Sequence, residues 1–286
     1  NWRWVFLINL PVGALALFGS MAYLPKTPRK RRSFDMTGFA LLSLAIGSLQ
    51  LMLDRGGEVD WFSAMETWIY LLVSVSGFWM FCMHILTKDH PFLDPQMFRD
   101  SNFRIGLVFI FVVGIILLAS LALLPPMLSR ILGYPVITTG VVMAPRGVGT
   151  MISMLVVGRL VRKVDPRALV LAGLTLTALS LYEMTGFTPQ MDSWPIIRSG
   201  VVQGLGLGLV FVPLSTIAFA TLEPRFRADA TSLFSLVRNI GSSIGISVVS
   251  YLLTRNIQVN HAELSALINP FNPVLKGLSP AAAAGN

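Results

Sequence analysis

Eight long apolar runs, almost free of charge, leave this chain few ways to fold: Trp4–Leu24, Met36–Leu53, Thr67–Leu86, Ile105–Leu124, Val136–Gly158, Ala168–Phe187, Ser199–Leu222 and Ala230–Thr254. A helix rises about 1.5 Å per residue, so about 20 apolar residues cross a hydrocarbon core roughly 30 Å thick. Strands fit these runs poorly, because the runs are too long and do not alternate apolar with polar. The expected fold is an all-α membrane protein of about eight transmembrane helices. Charge density agrees: 13% of residues are charged, against about 25% in an ordinary soluble domain.

The formal net charge is +8, a balance that on its own would admit nucleic-acid binding. The cations lie between the apolar runs, where membrane topology wants them, so no nucleic-acid partner is expected. Alternate connectors differ sharply, fourteen Lys and Arg in one set against six in the other set plus the two ends. The positive-inside rule puts the richer set, including Lys26, Arg29–Arg32, Lys88 and Arg159–Arg167, in the cytoplasm. Both chain ends then lie outside, as an even number of crossings requires, and the membrane is read as a bacterial inner membrane. Asn1 leads almost directly into an apolar run without a basic n-region or cleavage site. The start therefore reads as the middle of a longer protein and not as a signal peptide. After Arg255 the sequence turns polar and irregular, and 255–286 is expected to form an outer, weakly ordered tail or loop.

Two charges sit deep in the runs, Arg146 and Arg238. A charge at such depth normally faces a bundle interior or a watery cavity. A substrate or coupling role is one reading and a structural role the other. Exchanging Arg238 for glutamine is expected to abolish transport with membrane levels largely intact. Glu183 is the one acid within an apolar run, a candidate for reversible protonation or an ordinary interfacial carboxylate. Gln203, Asn239 and Ser215 are suited to lining a cavity or to bonding between helices. Gly200, Gly204 and Gly208 recur every fourth residue, as do Gly241 and Gly245, which lets helix backbones approach closely. The reading is tight packing, a sliding surface, or both. Pro11, Pro145 and Pro213 interrupt the hydrogen bonding of their spans. His84, His90 and His261 are scattered, and Cys82 is the sole cysteine. No metal-ligand spacing or nucleotide-binding loop is seen, so no enzyme, metal or cofactor is expected.

Three stretches carry a family resemblance. Asn1-Trp-Arg-Trp-Val-Phe-Leu-Ile-Asn-Leu-Pro-Val-Gly13 resembles the sixth helix of fourteen-helix drug:proton antiporters of the EmrB/QacA type, within the major facilitator superfamily. Ala144-Pro-Arg-Gly-Val-Gly149, followed by the Gly158–Arg167 loop, resembles the eighth bundle helix and its basic cytoplasmic loop. In that loop Gly158, Arg159, Asp165 and Arg167 follow the pattern, while Arg162 stands where the better-formed motif has an acid. Arg238-Asn-Ile-Gly-Ser-Ser-Ile-Gly245 resembles the eleventh bundle helix, and Asn269–Pro273 resembles a long outer loop of the EmrB branch.

The resemblance implies a partial fold of that superfamily. Residues 1–24 would close the N-terminal bundle. Residues 25–103 would form a basic cytoplasmic linker and an inserted helix pair. Residues 104–254 would supply five helices of the C-terminal bundle, and 255–286 a periplasmic tail. It also implies proton-coupled efflux of hydrophobic or amphipathic drugs by alternating access. The implied partners are the bilayer, a hydrophobic small molecule, protons, a periplasmic adaptor and an outer-membrane channel. An exporter of another substrate class, such as a lipid, siderophore or metabolite, and a non-transporting truncated membrane protein are the competing readings.

Overall fold

The computed structural model describes residues 3–7, 9–23, 35–57, 59–88, 91 and 93–267, in two units divided between Phe34 and Asp35. The first unit contains α1 (Arg3–Leu7) and α2 (Asn9–Tyr23), which hold most of the first predicted span. Most of the basic linker, with Lys26 and Arg29–Arg32, and the Asn269–Pro273 stretch lie outside the described residues.

The second unit contains α3 (Met36–Gly56), α4 (Met65–Thr87), α5 (Ser101–Pro126), α6 (Val136–Leu160), α7 (Pro166–Met184), α8 (Ser193–Ala220) and α9 (Arg227–Leu267). These seven are the helices long and apolar enough to cross a membrane among the described residues. Their outward faces carry large apolar side chains such as Leu72 (66% exposed), Leu155 (66%) and Leu171 (66%). A contiguous greasy exterior of that kind is stable against lipid and not against water.

Helix α8 is the hub. It packs against α5, α6 and α7, while α5 packs on α9, α9 on α3, and α3 on α4. Twelve of its residues are buried, four of them glycines. Lipid provides no hydrophobic drive between helices, so close backbone approach and hydroxyl-to-carbonyl bonds hold the crossings together. The Ser153 hydroxyl donates to the Leu205 carbonyl at 2.7 Å and Ser180 to the Ser199 carbonyl at 2.7 Å, tying α6 and α7 to α8. Ser242 donates to the Gly114 carbonyl at 3.1 Å, tying α9 to α5. The α3–α4 hairpin joins α9 through Ser247, which donates to the Leu53 carbonyl at 2.8 Å, and through Ser243 to Gln50.

Local chemistry fixes the helix ends. Proline at 125 and 126 removes two backbone donors, and α5 passes into a wider π turn over Met127–Ile131 before stopping. Gly133, at φ +67°, takes the left-handed conformation that lets the chain turn away. At its other end α5 is capped by Asp100, which accepts from the Phe103 N–H at 2.9 Å. Burial alone would raise the Asp100 carboxyl. Hydrogen bonds from the Thr221 hydroxyl and from the Phe103 and Asn102 N–H groups, with the Arg104 charge, outweigh it and hold the group below its ordinary value. The sign follows: this cap is fully effective above the unfolded carboxylate pKa of about 3.9 and is lost as pH falls through the lower folded value. Asp100→Ala is expected to cost about 1 kcal/mol at neutral pH, the usual worth of an N-cap, and nearly nothing in strong acid. Thermal melts of the full-length protein at the two pH values check this.

The tail expectation needs correction. Residues 255–267 do not form a loose tail, because α9 runs unbroken for 41 residues to Leu267. An established helix extends at little cost through polar residues when neither Pro nor Gly interrupts it, and 255–267 contains neither.

Candidate functional site

Helices α5, α6 and α8 form the wall of an open cavity of about 870 Å³. Its wall is apolar, with Leu117, Leu121, Met143, Met151, Met154 and Phe211 among the lining residues. One charged side chain, Arg146, faces it. Pro145, inside α6, directly precedes this arginine and deprives the preceding turn of one amide donor.

Arg146 is only 8% exposed. One nitrogen, Nη2, donates to the Leu117 carbonyl of α5 at 3.3 Å. The other, Nη1, is buried and has no hydrogen-bond partner. Gln203 of α8 is fully buried. Its Nε2 donates to the Ser120 hydroxyl of α5 at 3.0 Å, and its Oε1 has no donor. The two polar residues therefore reach from two helices to one turn of a third.

Arg238 lies half-buried on α9, its guanidinium 5.5 Å from the centre of the Phe211 ring. Because Phe211 lines the cavity, Arg238 borders it through that ring in a cation–π contact. Asn239 is exposed beside it, and Ser215 donates to the Val212 carbonyl of its own helix at 2.8 Å. Glu183 does not join this group. It forms an ion pair with Arg198 between the end of α7 and the start of α8. Gly158 and Arg159 lie at the end of α6, and Arg162 in the turn that follows. Asp165 caps α7 by accepting from the Arg167 N–H at 2.9 Å. Gly158, Arg159, Arg162, Asp165 and Arg167 are all exposed.

The glycine rows mark backbone contacts. A Cβ at Gly204 would collide with the carbonyl oxygen of Arg146, and one at Gly208 would come within 2.5 Å of the Ser153 Cβ. At Gly200 it would sit at an ordinary 3.5 Å from the Arg146 Cβ. Gly241 abuts the Phe111 carbonyl, and a Cβ at Gly245 would lie 2.6 Å from the Ile115 carbonyl. Pro213 is buried inside α8.

Two features escaped the sequence. Ser120, the partner of Gln203, lies 83 residues away in the chain. Asp35, 5% exposed, caps α3 through the Gly38 N–H at 3.0 Å. It also holds the end of α4, meeting His84 Nε2 at 3.0 Å and Lys88 Nζ at 2.8 Å. No sequence signal points to the two distant partners.

Comparison with known proteins places this architecture. Residues 1–246 match the profile described as Major Facilitator Superfamily. The chain is 35% identical over 280 residues to Multidrug export protein EmrB of Escherichia coli (strain K12), covering 96% of this chain and 54% of that protein. It is 32% identical over 282 residues to Probable multidrug resistance protein EmrY of the same strain, covering 98% and 55%. It is 31% identical over 277 residues to Fatty acid resistance protein FarB of Neisseria gonorrhoeae, covering 96% and 55%. The chain thus spans about half the length of the curated relatives it matches. Helical and membrane-spanning, with a family match over most of its length, the chain belongs to the Major Facilitator Superfamily, whose members are transporters and not enzymes.

Proposed function

We propose that the protein containing this chain exports hydrophobic or amphipathic compounds across a bacterial inner membrane, by proton antiport and alternating access of two helix bundles. The observation that carries this reading is the apolar cavity of about 870 Å³ on α5, α6 and α8, with Arg146 as its charged lining residue. A cavity of that size and character suits a drug-sized apolar cargo.

In this reading residues 1–24 close the N-terminal bundle and 25–103 hold the linker and inserted pair. Residues 104–254 supply five helices of the C-terminal bundle, and the stretch from 255 onward lies in the periplasm with the other end of the chain. Arg146, Gln203 and Arg238 serve the pathway, with Asn239 at its edge and Glu183 as an interfacial ion-pair partner. Gly200, Gly204, Gly208, Gly241 and Gly245 set the helix spacing, and Pro145 and Pro213 mark where α6 and α8 yield. The Gly158–Arg167 turn faces the cytoplasm. A periplasmic adaptor and an outer-membrane channel would receive the cargo. A second reading, export of a lipid-like acid, draws support from the name of the Neisseria relative.

Cells expressing the full-length protein are expected to accumulate less of a hydrophobic fluorescent dye, and collapse of the proton gradient should remove the difference. Efflux that persists after the gradient has collapsed overturns proton coupling. Arg238→Gln should abolish dye export at normal membrane levels. Undiminished export by that variant would remove Arg238 from the pathway. Competition of the dye against drugs and against lipids separates the two readings.

A further inference from the structure

We propose that a groove between α5, α7 and α8 holds one anionic phospholipid, with its phosphate at Arg167 and an acyl chain laid along the helices. The groove shares no lining residue with the Arg146 cavity, and the inference stands apart from the export reading.

The groove has a volume of about 470 Å³. Helices α5 and α7 both begin at one end of it, at Ser101 and Pro166. Its two polar lining side chains, Arg167 and Asn102, sit at that end. Asn102 is half-buried and donates from Nδ2 to the Thr221 hydroxyl at 3.1 Å. The rest of the lining is apolar, including Ile105 and Phe109 of α5, Leu171 and Leu174 of α7, and Leu214 of α8. From Asn102 to Phe109, and from Arg167 to Leu174, the helices rise about 10 Å, which fits within one leaflet of a hydrocarbon core roughly 30 Å thick.

Three features select the occupant. The wall is open to the bilayer, since Ile105, Phe109 and Leu171 are exposed, and lipid is the solvent there. The mouth is cationic. Stretches 100–104 and 159–167 hold Arg104, Arg159, Arg162, Lys163 and Arg167 against Asp100 and Asp165. Both acids are turned to helix N–H groups, Asp100 to that of Phe103 and Asp165 to that of Arg167. Among the described residues no ion pair engages the Arg167 guanidinium. A cation at the membrane edge above an apolar trough matches a phosphate above an acyl chain, as in basic pockets between membrane helices. Finally, the groove is too slim for a helix: 10 Å of a helix 10–12 Å across fills about twice this volume.

Native mass spectrometry of the full-length protein, delipidated in detergent, tests the proposal. Phosphatidylglycerol, phosphatidylcholine with the same acyl chains, and glycerol 3-phosphate are titrated separately. The first phosphatidylglycerol is expected to bind about fivefold more tightly than phosphatidylcholine, the worth of one cation beside an anionic lipid. Arg167→Gln should erase that difference and leave phosphatidylcholine binding as it was. Ile105→Trp, which fills the apolar stretch, should weaken both lipids. Arg162→Gln removes an exposed cation of the neighbouring turn that does not line the groove, and should leave phosphatidylglycerol binding nearly unchanged. Equal binding of the two lipids by the unmodified protein overturns the proposal, and that comparison does not depend on any variant folding. It is also the result expected if another helix of the full-length protein fills the groove. Equal losses in Arg162→Gln and Arg167→Gln overturn it too, because the attraction then belongs to the basic rim as a whole. Glycerol 3-phosphate binding as tightly as phosphatidylglycerol overturns it in favour of a site for a free anion.

Discussion

Gly204→Ala is expected to lower the stability of the full-length protein by about 3 kcal/mol, the upper range for overpacking a close contact. The added methyl has nowhere to go. It would meet the carbonyl oxygen of Arg146 and the Thr150 nitrogen, the latter at 2.9 Å, and both belong to the backbone of α6. A flexible side chain would swing aside, but a helix backbone has to move as a body. The α6–α8 crossing would open, and the cavity wall that holds Arg146 would move with it. Gly147→Ala is the matched control, since nothing lies within 4 Å of a Cβ there. Alanine favours a helix over glycine by about 1 kcal/mol, so that variant should melt at or above the parent temperature. Thermal melts in detergent check both. A Gly204→Ala protein that melts like the parent would remove the backbone contact as the reason for glycine at that position.

Asp35→Ala should be the most damaging change in the α3–α4 hairpin, at about 3 kcal/mol. It removes the cap of α3, worth about 1 kcal/mol. It also strips His84 and Lys88 of a carboxylate whose side chain is 2% exposed. Lys88 is 40% exposed and partly hydrated, so its share is held to about 1 kcal/mol. Asp35→Asn keeps a cap acceptor but loses the charge, and should fall midway. If the alanine variant matches the parent in melting temperature, this buried carboxylate does not secure the hairpin.

The spans were readable because lipid allows so few alternatives. Once water is excluded, every backbone group needs an internal partner, and apolar length nearly dictates a helix. Arg146 was readable for the same reason, as a charge at such depth demands an explanation. What lay beyond reading was the company it keeps. Gln203 and Ser120 look like any two polar residues until the fold brings them together across 83 positions of chain. Asp35 drew no notice in the sequence, since its partners follow 49 and 53 residues later. Glu183 was readable as a protonation site or as an interfacial carboxylate, and what the sequence could not show is its partner, Arg198, fifteen residues on. The end of α9 was misread because polarity was taken for disorder. Arg255, Asn256 and Gln258 are unfavourable in lipid, but in water none of them breaks a helix that is already turning.

The uninterrupted course of α9 has a mechanical side. Its 41 residues measure about 60 Å by helical rise, roughly twice the thickness of the hydrocarbon core. A rod held at one end within a bundle acts as a lever, and a small tilt of the held half sweeps the far half through a larger arc. A reporter dye at Leu264, on the protruding half, would therefore amplify tilts of the crossing at Gly241 and Gly245 that are too slight to register within the bundle itself.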